Sequence, residues 1–188
     1  MPEHAQRRAA PNKAAAIQMT AVSGRALLRL KSWLPEYANA AKPVVLAGRE
    51  LPLQVGATLS GPMRVLCVGP GEWLIVSHEY PASGLRERIE PDLPEYGLAL
   101  VDLTDGIAGL DVRGCAAREI LSKGCGLDLH PRSFPADWCA RTRFAQIPVV
   151  IECLDNPPRF ELHMARSYFH YLHGWIADAA AEFEGTLT

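Results

Sequence analysis

The stretch MRVLCVGPGEWLIVS, residues 63–77, decides the fold class of this chain. Two apolar runs flank its central Gly69-Pro70-Gly71 turn, and each run is too short for a helix. We therefore predict a β-hairpin, formed by Met63–Val68 and Glu72–Ser77. Four of its side chains are predicted to point inward: Val65, Leu66, Leu74 and Val76.

The same alternation of strand and turn continues towards the C-terminus. Leu98–Leu103 and Ile107–Val112 flank the turn Thr104-Asp105-Gly106, which predicts a second hairpin. Two further strands are predicted at Arg143–Leu154 and Arg159–Met164. The second of these alternates apolar and polar residues, so we expect one of its faces to be exposed to solvent.

Helical spacing predicts three helices between and after these strands. They begin near Ser83, Cys115 and Ser167, and the Ser167 hydroxyl is the predicted N-cap of the last helix. Gly124 is predicted to cap the second helix, and residues 126–138 form an ordered loop. This order predicts an α+β fold, a largely antiparallel sheet with helices packed on it.

The segment before the first predicted hairpin differs in composition. Residues 1–42 are rich in alanine and are interrupted by Pro35, with Pro43 directly after them. We predict that residues 1–42 form an N-terminal tail and extended arm, flexible up to about residue 24, and that residues 43–188 form a single domain.

Composition excludes several classes of protein. The 188 residues are 48% hydrophobic and 21% charged, which excludes general disorder. The net charge of -2 gives no basic excess for nucleic acid, and no apolar run is long enough to span a membrane. The five cysteines are widely spaced and odd in number, which indicates reduced thiols and a cytoplasmic protein. Both common glycine-rich nucleotide-binding fingerprints are missing.

Three groups of residues could carry chemistry: three histidines, one cysteine and a pair of aspartates. His163, His170 and His173 lack the carboxylate ligands that would complete a metal site, so no metal is expected. Cys125 lies two residues from Lys123, which would favour a reactive thiolate, but a small buried side chain is the favoured interpretation.

Asp102 and Asp105 are spaced as an acid and base pair, yet they flank a tight turn. Aspartate at such a turn more often accepts backbone hydrogen bonds, and this structural role is favoured. No catalytic residue and no cofactor-binding residue is predicted in this chain.

The loop containing Asp128, His130, Arg132 and Phe134 is the densest mixture of charge, imidazole and aromatic groups in the chain. It suits an anion pocket, in which Arg132 would bind a carboxylate, or a protein contact anchored by arginine and phenylalanine. The contact is favoured. Seven residues are the candidate subunit contacts: Trp33, Lys123, Asp128, His130, Arg132, Phe134 and Arg166.

Three ordered motifs carry a family resemblance. GEWLIV at 71–76, VDLTDG at 101–106 and ILSKGCGLDLHPRSF at 120–134 together resemble the gamma subunit of heterotetrameric sarcosine oxidase. The resemblance covers about residues 63–180, and its most specific part is the segment from Lys123 to Pro131. That family is itself similar to the folate-binding domain of glycine-cleavage aminomethyltransferases, with Asp102–Thr104 and Gly114–Leu121 in the shared pattern.

The resemblance implies a complex that oxidatively demethylates sarcosine to glycine. The one-carbon unit would pass to tetrahydrofolate or leave as formaldehyde, with formation of peroxide. FAD, FMN, NAD and tetrahydrofolate would be bound by the larger subunits and zinc by the smallest. This chain would be a non-catalytic structural subunit, with the alpha, beta and delta subunits as partners and alpha as its main contact.

Two alternatives remain open at this point. The chain is a free-standing folate-binding one-carbon transfer protein, or it is the equivalent subunit of a related dehydrogenase acting on another N-methyl amino acid, such as N-methylglutamate. Its length of 188 residues is short for the whole aminomethyltransferase plan, which disfavours the first. A subunit that does not touch substrate carries no information about which substrate is used.

Overall fold

A computed structural model describes residues 17–38, 42–155 and 158–184. The strands are β1 Gln18–Val22, β2 Ala26–Ser32, β3 Val45–Leu46, β4 Arg49–Glu50, β5 Thr58–Leu59, β6 Arg64–Gly69, β7 Glu72–Ser77, β8 Leu98–Asp102, β9 Ile107–Arg113, β10 Trp138–Phe144, β11 Ile147–Asp155 and β12 Arg159–Ala165. The α-helices are α1 Pro35–Ala38, α2 Ala82–Ile89, α3 Ala117–Gly124 and α4 Phe169–Glu184. Two 3-10 segments occur at Glu90–Tyr96 and Arg166–Tyr168.

Two five-stranded sheets form the centre of the protein. The first sheet has the order β1-β9-β12-β11-β10 and the second has the order β5-β6-β7-β2-β8. A small separate ribbon joins β3 and β4. Every strand pair within the described residues is antiparallel, which confirms the predicted α+β class.

The two sheets pack face to face and are covered by helices on their outer sides. Leu27 and Leu74 of the second sheet share an apolar cluster with Cys139 and Val150 of the first. Helices α3 and α4 pack on the outer face of the first sheet, and α2 packs on that of the second. Strands covered on both faces are apolar at consecutive positions, as in β7, where all six residues are buried.

The predicted elements that depend on residues close in sequence are confirmed. Strands β6 and β7 pair across the Gly69-Pro70-Gly71 turn as predicted. Helices α2, α3 and α4 occupy the predicted stretches and bury their predicted apolar residues, such as Leu85, Ile120 and Ile176.

The prediction of an N-terminal tail and arm is wrong for residues 18–32. Strand β1 pairs with β9 at the edge of the first sheet, and β2 lies between β7 and β8 in the second. Leu27, Leu28 and Leu30 of β2 are fully buried, because both faces of this strand are covered. A boundary at residue 43 therefore does not separate an arm from the sheets. The predicted tail extends to about residue 24, and its residues 1–16 lie outside the described residues.

The predicted second hairpin is also wrong, although both of its strands exist. Strand β8 pairs with β2 in the second sheet, whereas β9 pairs with β1 and β12 in the first. The Thr104-Asp105-Gly106 turn therefore passes the chain from one sheet to the other. Asp102 Oδ1 accepts a hydrogen bond from the Thr104 backbone N–H at 2.9 Å, so its role at the turn is structural.

The strand predicted at Arg143–Leu154 is two strands. Strands β10 and β11 form a hairpin whose turn is Ala145-Gln146, with φ angles of 45° and 75°. Such a turn normally contains glycine or asparagine. This turn contains neither, so no signal in the sequence indicates that the predicted strand is interrupted here. Pro148 lies at the start of β11, where its missing N–H is tolerated.

Two local predictions near the C-terminus need correction. Strand β12 is buried on both faces, because Glu161 and His163 face the second sheet rather than solvent. The predicted N-cap Ser167 lies within the 3-10 segment before α4, and Cys125 rather than Gly124 is the C-cap of α3. Gly124 is required for another reason, since a β-carbon there would overlap the ring of Phe144.

Candidate functional site

The loop 128–134 is tied together by its own hydrogen bonds. Asp128 accepts one from the His130 backbone N–H at 2.9 Å and one from the Ser133 hydroxyl at 2.6 Å. These bonds favour the charged carboxylate and lower the pKa of Asp128. His130 Nδ1 accepts a bond from the Arg132 backbone N–H at 3.2 Å. The side chains of Asp128, His130 and Arg132 are left on the surface of a preorganised turn.

Phe134 differs from the rest of this loop, because its side chain is only 3% exposed. Its ring stacks on Phe160 of β12 with a centroid separation of 6.5 Å. Arg118 of α3 donates hydrogen bonds to the Leu129 and Phe134 carbonyl oxygens and lies 5.1 Å from the centroid of the Phe160 ring. The prediction that Phe134 is a subunit contact is therefore corrected: its ring attaches the loop to the core.

The other three candidate contacts lie in separate elements. Trp33 follows β2 and is 66% exposed. The Lys123 ammonium on α3 lies 2.6 Å from Glu182 Oε2, so it is paired within the chain. Arg166, directly before α4, donates from Nε to the carbonyl oxygen of Asp105 at 2.6 Å.

The thiol of Cys125, the candidate nucleophile, is not activated. Burial raises the pKa of Cys125, against the expectation that Lys123 would lower it. Burial also raises the pKa of Cys67 to about 11 and that of Cys139 to about 12. These shifts disfavour the thiolate, so the favoured role of Cys125 as a packing residue fits its surroundings.

A cluster of buried charges lies between the two sheets, and it was missed by the sequence analysis. It contains Arg25 and Arg64 from the second sheet side, and Glu152, Glu161 and His163 from the first sheet. Each carboxylate oxygen of Glu161 has its own guanidinium: Oε1 accepts from Arg25 Nη1, and Oε2 accepts from Arg64 Nη2 at 2.7 Å. We call these five residues the charge cluster.

The hydrogen bonds of the cluster also assign the histidine tautomer. A guanidinium only donates, so His163 Nδ1, 2.8 Å from Arg25 Nη1, accepts in that bond. The ring proton then resides on Nε2, which lies 3.7 Å from Glu152 Oε2. The two arginines of the cluster balance its two glutamates.

Electrostatic effects favour the charged forms of Glu161 and Arg64, whereas burial lowers the pKa of Arg25. Burial alone would raise the pKa of Glu161, but the guanidinium groups of Arg64 and Arg25 beside its two oxygens lower it to about 2. The two glutamates outweigh burial and raise the pKa of Arg64.

The cluster contains the one group of potential metal ligands found among the described residues. Suitable atoms of Glu152, Glu161 and His163 lie within 4.8 Å of one another. Both oxygens of Glu161 already accept from guanidinium groups, and a cation there would have to displace them. The donor set therefore fits an ion-pair network better than a metal centre. His170 and His173 lie elsewhere, on the exposed side of α4 against the Phe169 ring.

A cleft of about 640 Å³ opens beside the cluster. Arg25, Thr104, Asp105, Arg166 and His170 are among its lining residues. The guanidinium of Arg25 lies against the backbone of Gly109 in this region, and a β-carbon on that glycine would approach Arg25 Cζ to 2.7 Å. The volume is within the range of small-molecule sites.

Acid should weaken the fold through Glu161, whose side chain is 2% exposed. Its folded pKa of about 2 lies below the ordinary 4.5, so its stabilisation is complete above pH 4.5 and is lost as the pH falls towards 2. We expect a loss of about 3 kcal/mol in the free energy of unfolding over this interval. Urea titrations at several pH values measure it, and the same slope in the Glu161→Gln variant would contradict this assignment.

The comparisons with known proteins first define the class of fold. The structure is similar to the aminomethyltransferase T of the glycine cleavage system from Bartonella henselae, with a TM-score of 0.64 and 13% identity. The match covers 87% of this chain and 46% of that chain, so this protein has an aminomethyltransferase-like fold and spans about half of that enzyme. Every helix in the described part of the chain is too short or too polar to cross a membrane.

The family then follows from sequence. The family model "Sarcosine oxidase, gamma subunit family" matches residues 32–182, and the chain belongs to this family. The gamma subunit from Arthrobacter sp is 32% identical over 152 residues, covering 80% of this chain and 73% of that protein. The one from Corynebacterium sp. (strain U-96) is 30% identical, covering 95% of this chain and 91% of that protein.

A solved structure supports the same assignment. A chain of the heterotetrameric sarcosine oxidase from Corynebacterium sp. U-96, in complex with pyrrole 2-carboxylate, matches with a TM-score of 0.80 and 27% identity. The match covers 94% of this chain and 90% of that chain. The resemblance found in the sequence is confirmed, as is the expectation that the chain is a subunit of a sarcosine oxidase-type oxidoreductase.

Proposed function

We propose that this chain is the structural, non-catalytic gamma subunit of a heterotetrameric sarcosine oxidase. The observation that carries the proposal is the charge cluster. It holds two of the four buried carboxylates of the described chain, and both oxygens of Glu161 accept hydrogen bonds from arginines. Such a network pairs charges between the two sheets, and the engaged Glu161 carboxylate is not free to act as a base. Family membership supplies the complex in which such a subunit works.

The complex would oxidise sarcosine to glycine, with transfer of the one-carbon unit to tetrahydrofolate or release of formaldehyde. In this proposal FAD, FMN, NAD, tetrahydrofolate and zinc are bound by the alpha, beta and delta subunits, and the assembly is cytoplasmic. The alpha subunit is the main partner of this chain. Support comes from the relatives named above, one of which is described as heterotetrameric.

The proposed contacts are the surface residues that the sequence singled out. They are Trp33, Lys123, Asp128, His130, Arg132 and Arg166, with Phe134 as the internal support of the loop. Arg132 is the sharpest test, because its side chain projects from a loop that Asp128 already orders. We expect Arg132→Ala to weaken assembly by roughly 1 kcal/mol or more with no change in folding. An unchanged share of the variant in the purified complex would count against this contact.

Co-expression with the other three subunits tests the proposal itself. We expect the tagged chain to co-purify with all three at equal stoichiometry, in a fraction with flavin absorbance that oxidises sarcosine. The chain purified alone should show no flavin absorbance and no sarcosine oxidation. Recovery of this chain without the other subunits would contradict the proposed function, and screening other N-methyl amino acids on the assembly would test the related-dehydrogenase alternative.

The cleft of about 640 Å³ favours a second candidate, a folate-binding one-carbon transfer protein. Arg25 and Arg166 both line it, and tetrahydrofolate carries carboxylates that a guanidinium binds well. Calorimetric titration of the purified chain with tetrahydrofolate decides between the two candidates. Saturable binding with a Kd of the order of micromolar, about -8 kcal/mol, would favour this second function.

A further inference from the structure

A second groove, of about 230 Å³, opens between the two sheets. Its walls are largely apolar and include Leu27, Leu74, Leu103, Ile107, Val149 and Val150. This volume is below the roughly 300–1,000 Å³ of small-molecule and cofactor sites. It is large enough for an apolar side chain inserted from outside, and we call it the intersheet groove.

The rim of the intersheet groove carries an excess of positive charge. Arg29 and Arg141 both line the groove, and both pair with the single carboxylate of Glu72. Lys31 is the residue directly opposite Glu72 in the pairing of β2 with β7, which adds a third cation at this edge. Three cations against one anion leave the rim complementary to an acidic group.

An exposed apolar strand continues the groove. Val101 of β8 is directly opposite Arg29 of β2, so the two side chains share one face of the second sheet. Val101 is 49% exposed, and β8 ends the sheet, so its outer edge has no strand neighbour among the described residues. The strand sequence LALVD contains neither the proline nor the lysine that commonly protects such an edge.

We propose that the intersheet groove and the β8 edge together bind an extended segment of a partner subunit. That segment carries an apolar side chain, which enters the groove, and a neighbouring acidic side chain, which pairs with Arg29 and Arg141. Unsatisfied strand edges bind extended segments through main-chain hydrogen bonds, and pockets beside them select the side chains. The inference rests on the proposed function, since it assigns a surface to the assembly of this chain with its partner subunits.

A competition experiment with matched variants tests the surface. A tagged variant and the untagged wild-type chain are co-expressed with the other three subunits, and their ratio in the purified complex is measured. We expect Val101→Lys to be under-represented by at least about tenfold. Val55→Lys is the control, because Val55 is also 49% exposed but lies in the loop before β5, outside the groove.

Arg141→Gln provides a second readout that does not touch the strand edge. Arg29 still neutralises Glu72 in this variant, so the fold retains its pair. We expect the Arg141→Gln variant to make up a smaller fraction of the purified complex than the wild-type chain does. That fraction should also decrease less with added salt, because one charge pair across the interface is lost.

Three results would overturn the inference. Val101→Lys incorporated as well as Val55→Lys would remove the surface while leaving the proposed function intact. Self-association of the purified chain that Val101→Lys abolishes would make a second copy the occupant. Failure of the wild-type chain to enter any complex would overturn both the inference and the proposed function.

Discussion

Replacing Glu161 by glutamine is expected to lower the free energy of unfolding by about 3–5 kcal/mol, the usual cost of breaking a buried ion pair. Glutamine has the same size but no charge, and only one of its two terminal atoms accepts hydrogen bonds. The amide nitrogen would face the N–H groups of Arg25 or Arg64, which now bind the two carboxylate oxygens. Two buried guanidinium groups would then share one remaining carboxylate, that of Glu152.

Urea denaturation of the purified chain measures this loss as a lower midpoint at an unchanged slope. The matched control is Glu90→Gln, in which the glutamate pairs at the surface with Arg86 at 2.5 Å. Such an exposed pair contributes about 0.5 kcal/mol or less. If Glu161→Gln lowers the free energy of unfolding by less than about 1 kcal/mol, the charge cluster does not stabilise the packing of the two sheets, and this interpretation is wrong.

A double substitution keeps the test useful if Glu161→Gln does not fold. Arg25→Met combined with Glu161→Leu replaces the Arg25–Glu161 pair with apolar side chains of similar volume and also removes the contact of Glu161 with Arg64. Buried pairs replaced in this way are often neutral in stability, and Arg64 retains Glu152 at 3.1 Å. We therefore expect the double variant to be more stable than Glu161→Gln.

The elements predicted correctly depend on interactions between residues close in sequence, and those predicted wrongly depend on residues far apart in sequence. The hairpin of β6 and β7 and the helix α4 depend on turn residues and spacing within about 15 residues, and both were predicted. The strands with which β8 and β9 pair depend on which sheet buries each of them. The same Thr104-Asp105-Gly106 turn would serve a hairpin or a crossing between sheets, so local signals could not decide.

The charge cluster was missed for a related reason. Glu161 and His163 alternate with apolar residues, which is the pattern of a strand with one wet face, and a polar layer between two sheets produces the same pattern. Arg25, the partner of Glu161, lies 136 positions away in a segment interpreted as an extended arm. One signal was present: Glu152 interrupts the apolar run of β11, where a charge requires a partner.

Phe134→Ala is expected to lower the free energy of unfolding by about 3–5 kcal/mol, as truncation of a buried phenylalanine does. The sequence presented Phe134 as an anchor for a partner, because it lies in a loop with Arg132 and His130. The structure buries its ring against Phe160, while Arg118 binds the carbonyl oxygens of Leu129 and Phe134. Loss of the ring would leave a cavity under the loop, and the loop would lose its attachment to β12.

Stability and assembly measured together separate the two roles of this loop. Arg132→Ala is the control, because its exposed side chain should change the free energy of unfolding by no more than about 0.5 kcal/mol. If Phe134 is internal support, Phe134→Ala lowers the urea midpoint of the chain alone, and any defect in assembly follows from that loss. A Phe134→Ala chain as stable as the wild type but excluded from the complex would instead require the ring to leave the core when the partner binds. The loop that resembles the family most specifically would then be a switch that opens on assembly, and the ordered turn built by Asp128 would describe only the free chain.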